Sequence, residues 1–259
     1  MTTELVHEDI TYAPLGFPED LTFGLELEHG SSPGYDIDAL AGALYESGYG
    51  RNTLAWEHHS SGGAAYYFHE RGWVTEFEGT LPSGGGEVVS PVMRDSIETW
   101  QAVDAVLTLI KNAGGTDDTS EAGGHIHFDT VLLSDDLACW QTFLGYLHHF
   151  SDALYTFGTH EGRGEHRGRK HCEMPPPCTA SELPELLAYY RPSRYALNTS
   201  YVRSTGIGHV EYRVNDASLD YRTVRERVSL IGNLMVRAAN KTTPPRGRGV
   251  ESLVDFALG

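Results

Sequence analysis

Apolar residues recur at helical spacing in five stretches of the chain. The second stretch begins at Asp95 and ends at the Gly114–Gly115 pair. Asp95 has capping-box spacing to Glu98. Its apolar stripe comprises Ile97, Trp100, Val103, Leu107 and Ile110. We therefore predict helices over residues 36–47, 95–114, 134–157, 181–190 and 221–239, and a last turn near Leu253.

Between these stretches the chain has segments typical of strands, in which apolar and polar residues alternate. In the first, Phe23, Leu25 and Leu27 point to one face, and Glu26 and Glu28 point to the other. The predicted strands cover residues 21–29, 73–78, 87–90, 125–130 and 209–214. Because the helices occur singly between strands without a strict repeat, we expect an α+β fold, a mostly antiparallel sheet with helices on its apolar face.

The polar faces of the strands are rich in carboxylates and imidazoles and contain no lysine. They hold Glu26, Glu28, Glu76, Glu78, Glu87, His125, His127, Asp129, His209, Glu211 and Arg213. For any one strand, a solvent-exposed polar face explains the pattern. Taken together, carboxylates about 5 Å apart on neighbouring strands would repel each other unless a cation lay between them. The set therefore predicts a platform for Mg²⁺, or for Mn²⁺, which tolerates one or two imidazoles.

The composition limits the classes of partner. The chain has 259 residues with 36 acids and 19 bases, a formal charge of −17, which argues against nucleic acid and anionic membranes as partners. No apolar run is long enough to span a membrane, and three cysteines do not form a disulfide framework. We expect a cytoplasmic protein with one domain over residues 1–259, whose core covers about 21–241.

A loop over residues 158–180 is a candidate lid or insertion. It contains His160, His166, His171, Cys172 and Cys178. Their spacing does not match a structural zinc site, and a loop that merely happens to be rich in histidine is the competing interpretation. Residues 163–171 carry four bases and one acid. That stretch is either a solvated loop or a mobile cover over a polyanionic ligand.

Six runs of residues, in this order, make the sequence resemble the amidoligases of the glutamine synthetase and glutamate–cysteine ligase superfamily. The resemblance covers about residues 21–220. The runs are Gly24-Leu25-Glu26-Leu27-Glu28, Glu78-Gly79-Thr80, Gly86-Glu87-Val88-Val89-Ser90-Pro91, Gly123-Gly124-His125-Ile126-His127-Phe128-Asp129, Arg194-Tyr195 with Asn198, and His209-Val210-Glu211-Tyr212-Arg213.

The resemblance implies a curved antiparallel sheet forming a funnel, with helices on its outer face, and ATP-dependent formation of an amide. By similarity, the metal ligands would be Glu26, Glu28, Glu78, Glu87, His125 and Glu211. The residues contacting the nucleotide would be His125, His127, Asn198 and Arg213. Catalytic roles would fall to Arg213, Glu78 and Arg194. The family usually has Asp-Gly-Ser where this chain has Glu78-Gly79-Thr80, so the chain departs from the family pattern at Glu78.

The implied reaction is the activation of a carboxylate by ATP as an acyl phosphate, followed by attack of an amine. The substrates would be a carboxylate and an amine, either small molecules or peptides. Glu76 is a candidate base, although a plain position on the strand face also explains it. Alternatives to a ligase are a phosphotransferase of the same fold, a metal-dependent hydrolase, and a module that binds metal or nucleotide without catalysis. The sequence does not predict the oligomeric state.

Overall fold

The computed structural model describes residues 10–56, 72–79, 81, 84–117, 121–159, 172–174, 179–191 and 194–259. Within these ranges the chain forms eight strands and seven helices. The strands are β1 (Thr22–Ser31), β2 (Val74–Phe77), β3 (Gly86–Val89), β4 (Met93–Arg94), β5 (Gly115–Thr116), β6 (Gly124–Asp129), β7 (Leu197–Asn198) and β8 (His209–Tyr212). The helices are α1 (Ile37–Glu46), α2 (Ile97–Asn112), α3 (Leu137–His149), α4 (Ser151–Gly158), α5 (Leu183–Tyr189), α6 (Tyr221–Ala239) and α7 (Val250–Leu258).

The described strands form one sheet with the order β2-β3-β1-β6-β8-β7, and β4 and β5 pair with β1. All the ladders between these strands are antiparallel. Some neighbours in the sheet come from distant parts of the chain, such as β1 with β6 and β6 with β8. The predicted α+β fold with a mostly antiparallel sheet is confirmed.

The apolar side chains of the central strands pack against the helices. Phe23 of β1 stacks on Trp100 of α2, with ring centroids 5.4 Å apart, and lies against Phe128 of β6. Residues of α3 and α6 belong to the same buried cluster. Burial of this apolar surface stabilises the sheet and leaves the opposite face, with its polar side chains, free to form a site.

Helix α2 begins at Ile97, two residues after the start that the sequence pattern predicts. Ser96 is its N-cap, since the Ser96 hydroxyl accepts the N–H of Thr99 at 3.2 Å. Asp95 instead accepts the backbone N–H groups of residues 15–17 and the indole N–H of Trp100. The predicted apolar stripe holds except for Ile97, which is exposed.

The predicted helix over residues 134–157 is two helices. Asp136 caps α3 by accepting the N–H groups of Ala138 and Cys139, so residues 134 and 135 lie outside the helix. Phe150, with φ −100° and ψ 17°, separates α3 from α4 while its ring is fully buried. The last turn near Leu253 is the full helix α7. In the described part of the chain, no helix combines the length and apolar character needed to cross a bilayer.

Candidate metal centre on the polar face of the sheet

The register of the strands brings carboxylates into a row. Glu76 of β2 pairs with Glu87 of β3, and Glu87 pairs with Glu28 of β1. All three side chains are buried, as is Glu78 just after β2. A row of buried carboxylates is not a solvent-exposed face, so the competing interpretation of these strands is wrong for this part of the sheet.

A second row crosses the centre of the sheet. His127 of β6 pairs with Glu211 of β8, which pairs with Asn198 of β7. In the neighbouring register position, Glu26 of β1 pairs with His125 of β6. The strand order therefore places imidazoles between the carboxylates of β1 and those of β8.

Glu26 contacts both imidazoles. Its Oε2 lies 2.8 Å from Nδ1 of His125, and its Oε1 lies 3.0 Å from Nε2 of His127. Burial by itself disfavours the charged carboxylate, but the charge and hydrogen bonds of His127 and His125 outweigh it and hold the pKa of Glu26 well below its usual range. Glu26 is therefore an ionised carboxylate in the middle of the polar face.

Glu211 is held from two sides. The side-chain amide of Asn198 donates to Oε2 at 2.9 Å, and the guanidinium of Arg213 donates to Oε1. The Oδ1 atom of Asn198 accepts the N–H of Ser200 at 2.9 Å, which fixes the amide with its NH₂ toward Glu211. The side chain of Asn198 thus orients a carboxylate, a role different from the nucleotide contact that the resemblance implies.

Glu26, His127 and Glu211 form a group that could hold a metal ion. One ligand atom from each lies within 4.8 Å of the others, and all three residues are buried. His125 lies beside the group, with Nδ1 3.4 Å from Oε1 of Glu211 and Nε2 3.5 Å from Oε1 of Glu28. Carboxylate oxygens are the ligands that Mg²⁺ and Mn²⁺ prefer, and the two glutamates supply them here.

Glu87 lies in the middle of the carboxylate row next to this group. Burial raises the pKa of Glu87 well above its usual range, and the charges of Glu26, Glu28, Glu76 and Glu78 raise it further. A divalent cation between these groups would reverse that effect, because it would favour the ionised form of each carboxylate. The chemistry of the donor set therefore fits a cation.

Arg194 and Glu78, two residues with predicted catalytic roles, lie in different surroundings. Arg194 is exposed, and its guanidinium stacks over the Tyr195 ring at 5.2 Å. Glu78 is buried, and its charge acts on Glu87, so it belongs with the carboxylate row. The catalytic roles of both residues stay predictions.

The structure adds residues that the alternation did not indicate. Tyr201 stacks on His209, with ring centroids 4.6 Å apart, and the His209 ring lies 5.3 Å from that of His127. At the other end of the face, Trp56 packs against Val74 and Val89. Tyr201 and Trp56 lie outside the strands, where a periodicity of two gives no signal.

The predicted lid mostly lies outside the described residues. This applies to His160, His166, His171 and Cys178, and to the basic stretch over residues 163–171. Cys172 is buried, and its thiol lies 3.2 Å from the carbonyl oxygen of Arg213. Its carbonyl accepts the hydroxyl of Tyr155 at 2.6 Å. Cys172 therefore packs against the end of β8.

Comparisons with known proteins give one structural similarity to report. No family model matches the chain, and no curated protein matches its sequence. The fold is similar to that in the crystal structure of the complex between the prokaryotic ubiquitin-like protein Pup and its ligase PafA, with a TM-score of 0.46 and 12% sequence identity. The match covers 96% of this chain and 52% of the matched chain, so this chain spans about half the length of the matched chain. A likeness at this level does not bear on activity.

Proposed function

We propose that the protein is an ATP- and Mg²⁺-dependent ligase that joins a carboxylate to an amine through an acyl phosphate. The observation that carries the proposal is the burial of six glutamates and two histidines on one face of the sheet. They are Glu26, Glu28, Glu76, Glu78, Glu87, Glu211, His125 and His127. Burying this many carboxylates side by side costs stability, and divalent cations bound among them would offset that cost, which supports a ligand-binding role for the face.

The metal ions would be held by Glu26, Glu28, Glu87 and Glu211, with Glu78 and His125 as further predicted ligands. Mn²⁺ would serve as well as Mg²⁺, because the imidazoles are acceptable ligands for it. When bound, the ions would neutralise the charge of the ATP phosphates. This also reconciles an acidic chain with a polyanionic substrate, since the local charge of the face changes sign.

Arg213 is the best candidate for stabilising the transferred phosphoryl group. It follows β8, and its guanidinium is tied to Glu211, which fixes its position. Its Nε–H has no acceptor among the described residues. A phosphoryl oxygen would supply that acceptor. In phosphoryl transfer, positioning and charge neutralisation of this kind account for most of the catalysis.

Transfer of the γ-phosphoryl group to the substrate carboxylate would give an acyl phosphate and ADP. The amine nitrogen would then attack the acyl carbon, the C–O bond to phosphate would break, and the proton lost by the amine would go to a nearby carboxylate. Glu76 is the candidate for that base. His127 lines the same face, and Arg194 stays a second candidate cation.

The experiment that tests the proposal measures ADP and inorganic phosphate together. The purified protein is given ATP, MgCl₂ and a mixture of amino acids, with single substrates withdrawn in turn. The proposal predicts equal release of ADP and phosphate that requires both a carboxylate and an amine. It also predicts loss of release in Glu26→Gln and Arg213→Ala, while Glu46→Gln, an exposed carboxylate at the end of α1, keeps it.

Other outcomes identify other functions. ADP release without inorganic phosphate, together with a phosphorylated substrate, would make the protein a phosphotransferase. Binding of ATP with Mg²⁺ but no ADP from any mixture would make it a binding module. Unchanged ADP release in Arg213→Ala would contradict the assignment of the phosphoryl site.

A further inference from the structure

A cleft of about 770 Å³ opens beside the metal centre, where β1 begins, β6 ends and β8 begins. His127 lines it and belongs at the same time to the group of Glu26, His127 and Glu211. The volume is within the range of pockets that hold small molecules. A ligand in this cleft would therefore lie next to the proposed metal ions.

Two opposite charges line this cleft. Of the described residues around it, Arg203 is the one arginine or lysine and Asp129 is the one carboxylate. Neither forms an ion pair with the other or with another described residue. One oxygen of Asp129 accepts the N–H of Val131 at 2.7 Å. The guanidinium and the second carboxylate oxygen thus remain available to a ligand.

The lining also includes exposed aliphatic side chains and an aromatic ring. Val92 and Ile207 are both exposed, at 44% and 62% of their surface, and both line the cleft. Tyr201 also lines it, with its ring held against His209. Exposed aliphatic side chains beside two unpaired charges are suited to a ligand with an apolar body and both an anionic and a cationic group.

The turn that carries Arg203 and Ile207 is well fixed. The N–H of Arg203 donates to the carbonyl of Ile207 at 2.9 Å, and the N–H of Gly206 donates back to Arg203 at 2.9 Å. The Thr130 hydroxyl donates to the carbonyl of Gly206 at 2.6 Å. Gly206 has φ +79°, and a Cβ there would collide with the carbonyl oxygen of Ser134. The backbone of the turn is therefore held in place before a ligand arrives.

We propose that this cleft is the substrate pocket for an α-amino acid with an apolar side chain. Arg203 binds its carboxylate, Asp129 binds its ammonium group, and Val92 and Ile207 contact the side chain. The inference rests on the proposed function for the role of this ligand as a substrate. The binding site itself follows from the cleft and can be tested without ATP or metal.

Three probes of similar size test separately how much the carboxylate and the ammonium group of the ligand contribute to binding. L-leucine carries both, L-leucinamide keeps only the ammonium group, and N-acetyl-L-leucine keeps only the carboxylate. Binding is followed on the full chain by the NMR signals of the methyl groups of Val92 and Ile207. The methyl groups of Leu258, exposed at the end of α7, are the internal control and should not shift.

L-leucine should bind at least roughly tenfold more tightly than either derivative, because each derivative leaves one charge of the cleft without a partner. Arg203→Gln should weaken L-leucine to the level of L-leucinamide. Asp129→Asn should weaken it to the level of N-acetyl-L-leucine, and asparagine keeps the acceptor for Val131. Arg246→Gln, an exposed arginine outside the cleft lining, should bind L-leucine as the wild type does.

Several results would overturn the inference. One is equal binding of L-leucine and N-acetyl-L-leucine, as the end of a peptide chain would give. Others are equal binding of L-leucine and L-leucinamide, or the absence of shifts at Val92 and Ile207. Because the titration contains no nucleotide, a protein that binds L-leucine here but never releases ADP would disprove the ligase and keep the pocket. A ligase that shows no binding here would disprove the pocket alone.

Discussion

Asn198 donates its side-chain amide to Glu211 at 2.9 Å across the β7–β8 pair, and the N–H of Ser200 fixes the orientation of that amide. One oxygen of Glu211 is thereby held, and the carboxylate is kept next to Glu26 and His127. If Glu211 binds metal as proposed, Asn198 is a residue that orients a metal ligand, and the loss of such a hydrogen bond typically lowers metal affinity.

Asn198→Ala should therefore weaken binding of Mn²⁺ by roughly 10- to 100-fold. Once saturated with metal, the variant should turn over ATP at close to the normal rate. Metal titrations by electron paramagnetic resonance check the first part, and ADP release at high metal concentration checks the second. Asn240→Ala, exposed at the end of α6, is the control. A lost rate with unchanged metal affinity would support the nucleotide contact instead.

Replacing Glu87 should separate stability from function. Burial and four neighbouring carboxylates disfavour its charge, so Glu87→Gln should leave the metal-free protein at least as stable as the wild type. Added Mg²⁺ should raise the unfolding free energy of the wild type, by about 2.7 kcal/mol at a concentration 100 times its Kd. The variant should gain less. Urea unfolding with and without MgCl₂ measures both, and an equal gain in the two proteins would remove Glu87 from the site.

The start of α2 gives a prediction about stability. Asp95→Ala should lower the unfolding free energy by about 2–3 kcal/mol, because three backbone N–H groups and an indole lose their acceptor. Ser96→Ala should cost about 1 kcal/mol, the usual effect of losing an N-cap. Thermal or urea unfolding gives both values. A smaller loss for Asp95→Ala than for Ser96→Ala would show that the four hydrogen bonds of Asp95 contribute less to stability than the N-cap does.

Acid should weaken the contact between Asp136 and Lys241. The two side chains lie 2.7 Å apart, and the hydrogen bond from Lys241, helped by the N–H of Ala138, lowers the pKa of Asp136 to about 2. Since the folded pKa is below the ordinary value, the contact stabilises the protein above about pH 4 and is lost as the pH falls through 2. Lys241→Met should have a lower urea midpoint than the wild type at pH 6, and the difference should shrink by pH 2.

For Lys241→Met, the matched control is Lys111→Met, an exposed lysine at the end of α2. Its midpoint should follow that of the wild type across the same pH range. A difference between Lys241→Met and the wild type that stays constant from pH 6 to 2 would show that Asp136 is not the titrating partner.

The strands and their polar faces could be predicted from the sequence because alternation with a period of two assigns each side chain to a face. Glu26, His125 and Glu211 were placed on one face in this way, and the structure brings them into contact. Their order across the sheet could not be predicted, because pairing between distant segments depends on the fold as a whole.

Other features lacked a local signal. Phe150 is an apolar residue at helical spacing, so its sequence does not show that it separates α3 from α4. The bonds of Asp95 to residues 15–17 join parts of the chain that are far apart. Tyr201 and Arg203 lie in irregular structure, where neither periodicity applies, and their proximity to His127 depends on the turn before β8.

The polar face should bind divalent cations together with ATP. A crystal structure of the protein with Mn²⁺ and a non-hydrolysable ATP analogue would show this directly, with anomalous scattering used to locate the metal. We predict Mn²⁺ peaks about 2.1–2.3 Å from carboxylate oxygens of Glu26 and Glu211, and the γ-phosphate beside Arg213. Anomalous peaks that lie elsewhere on the protein, with the analogue bound away from this face, would rule out the proposed ligase site.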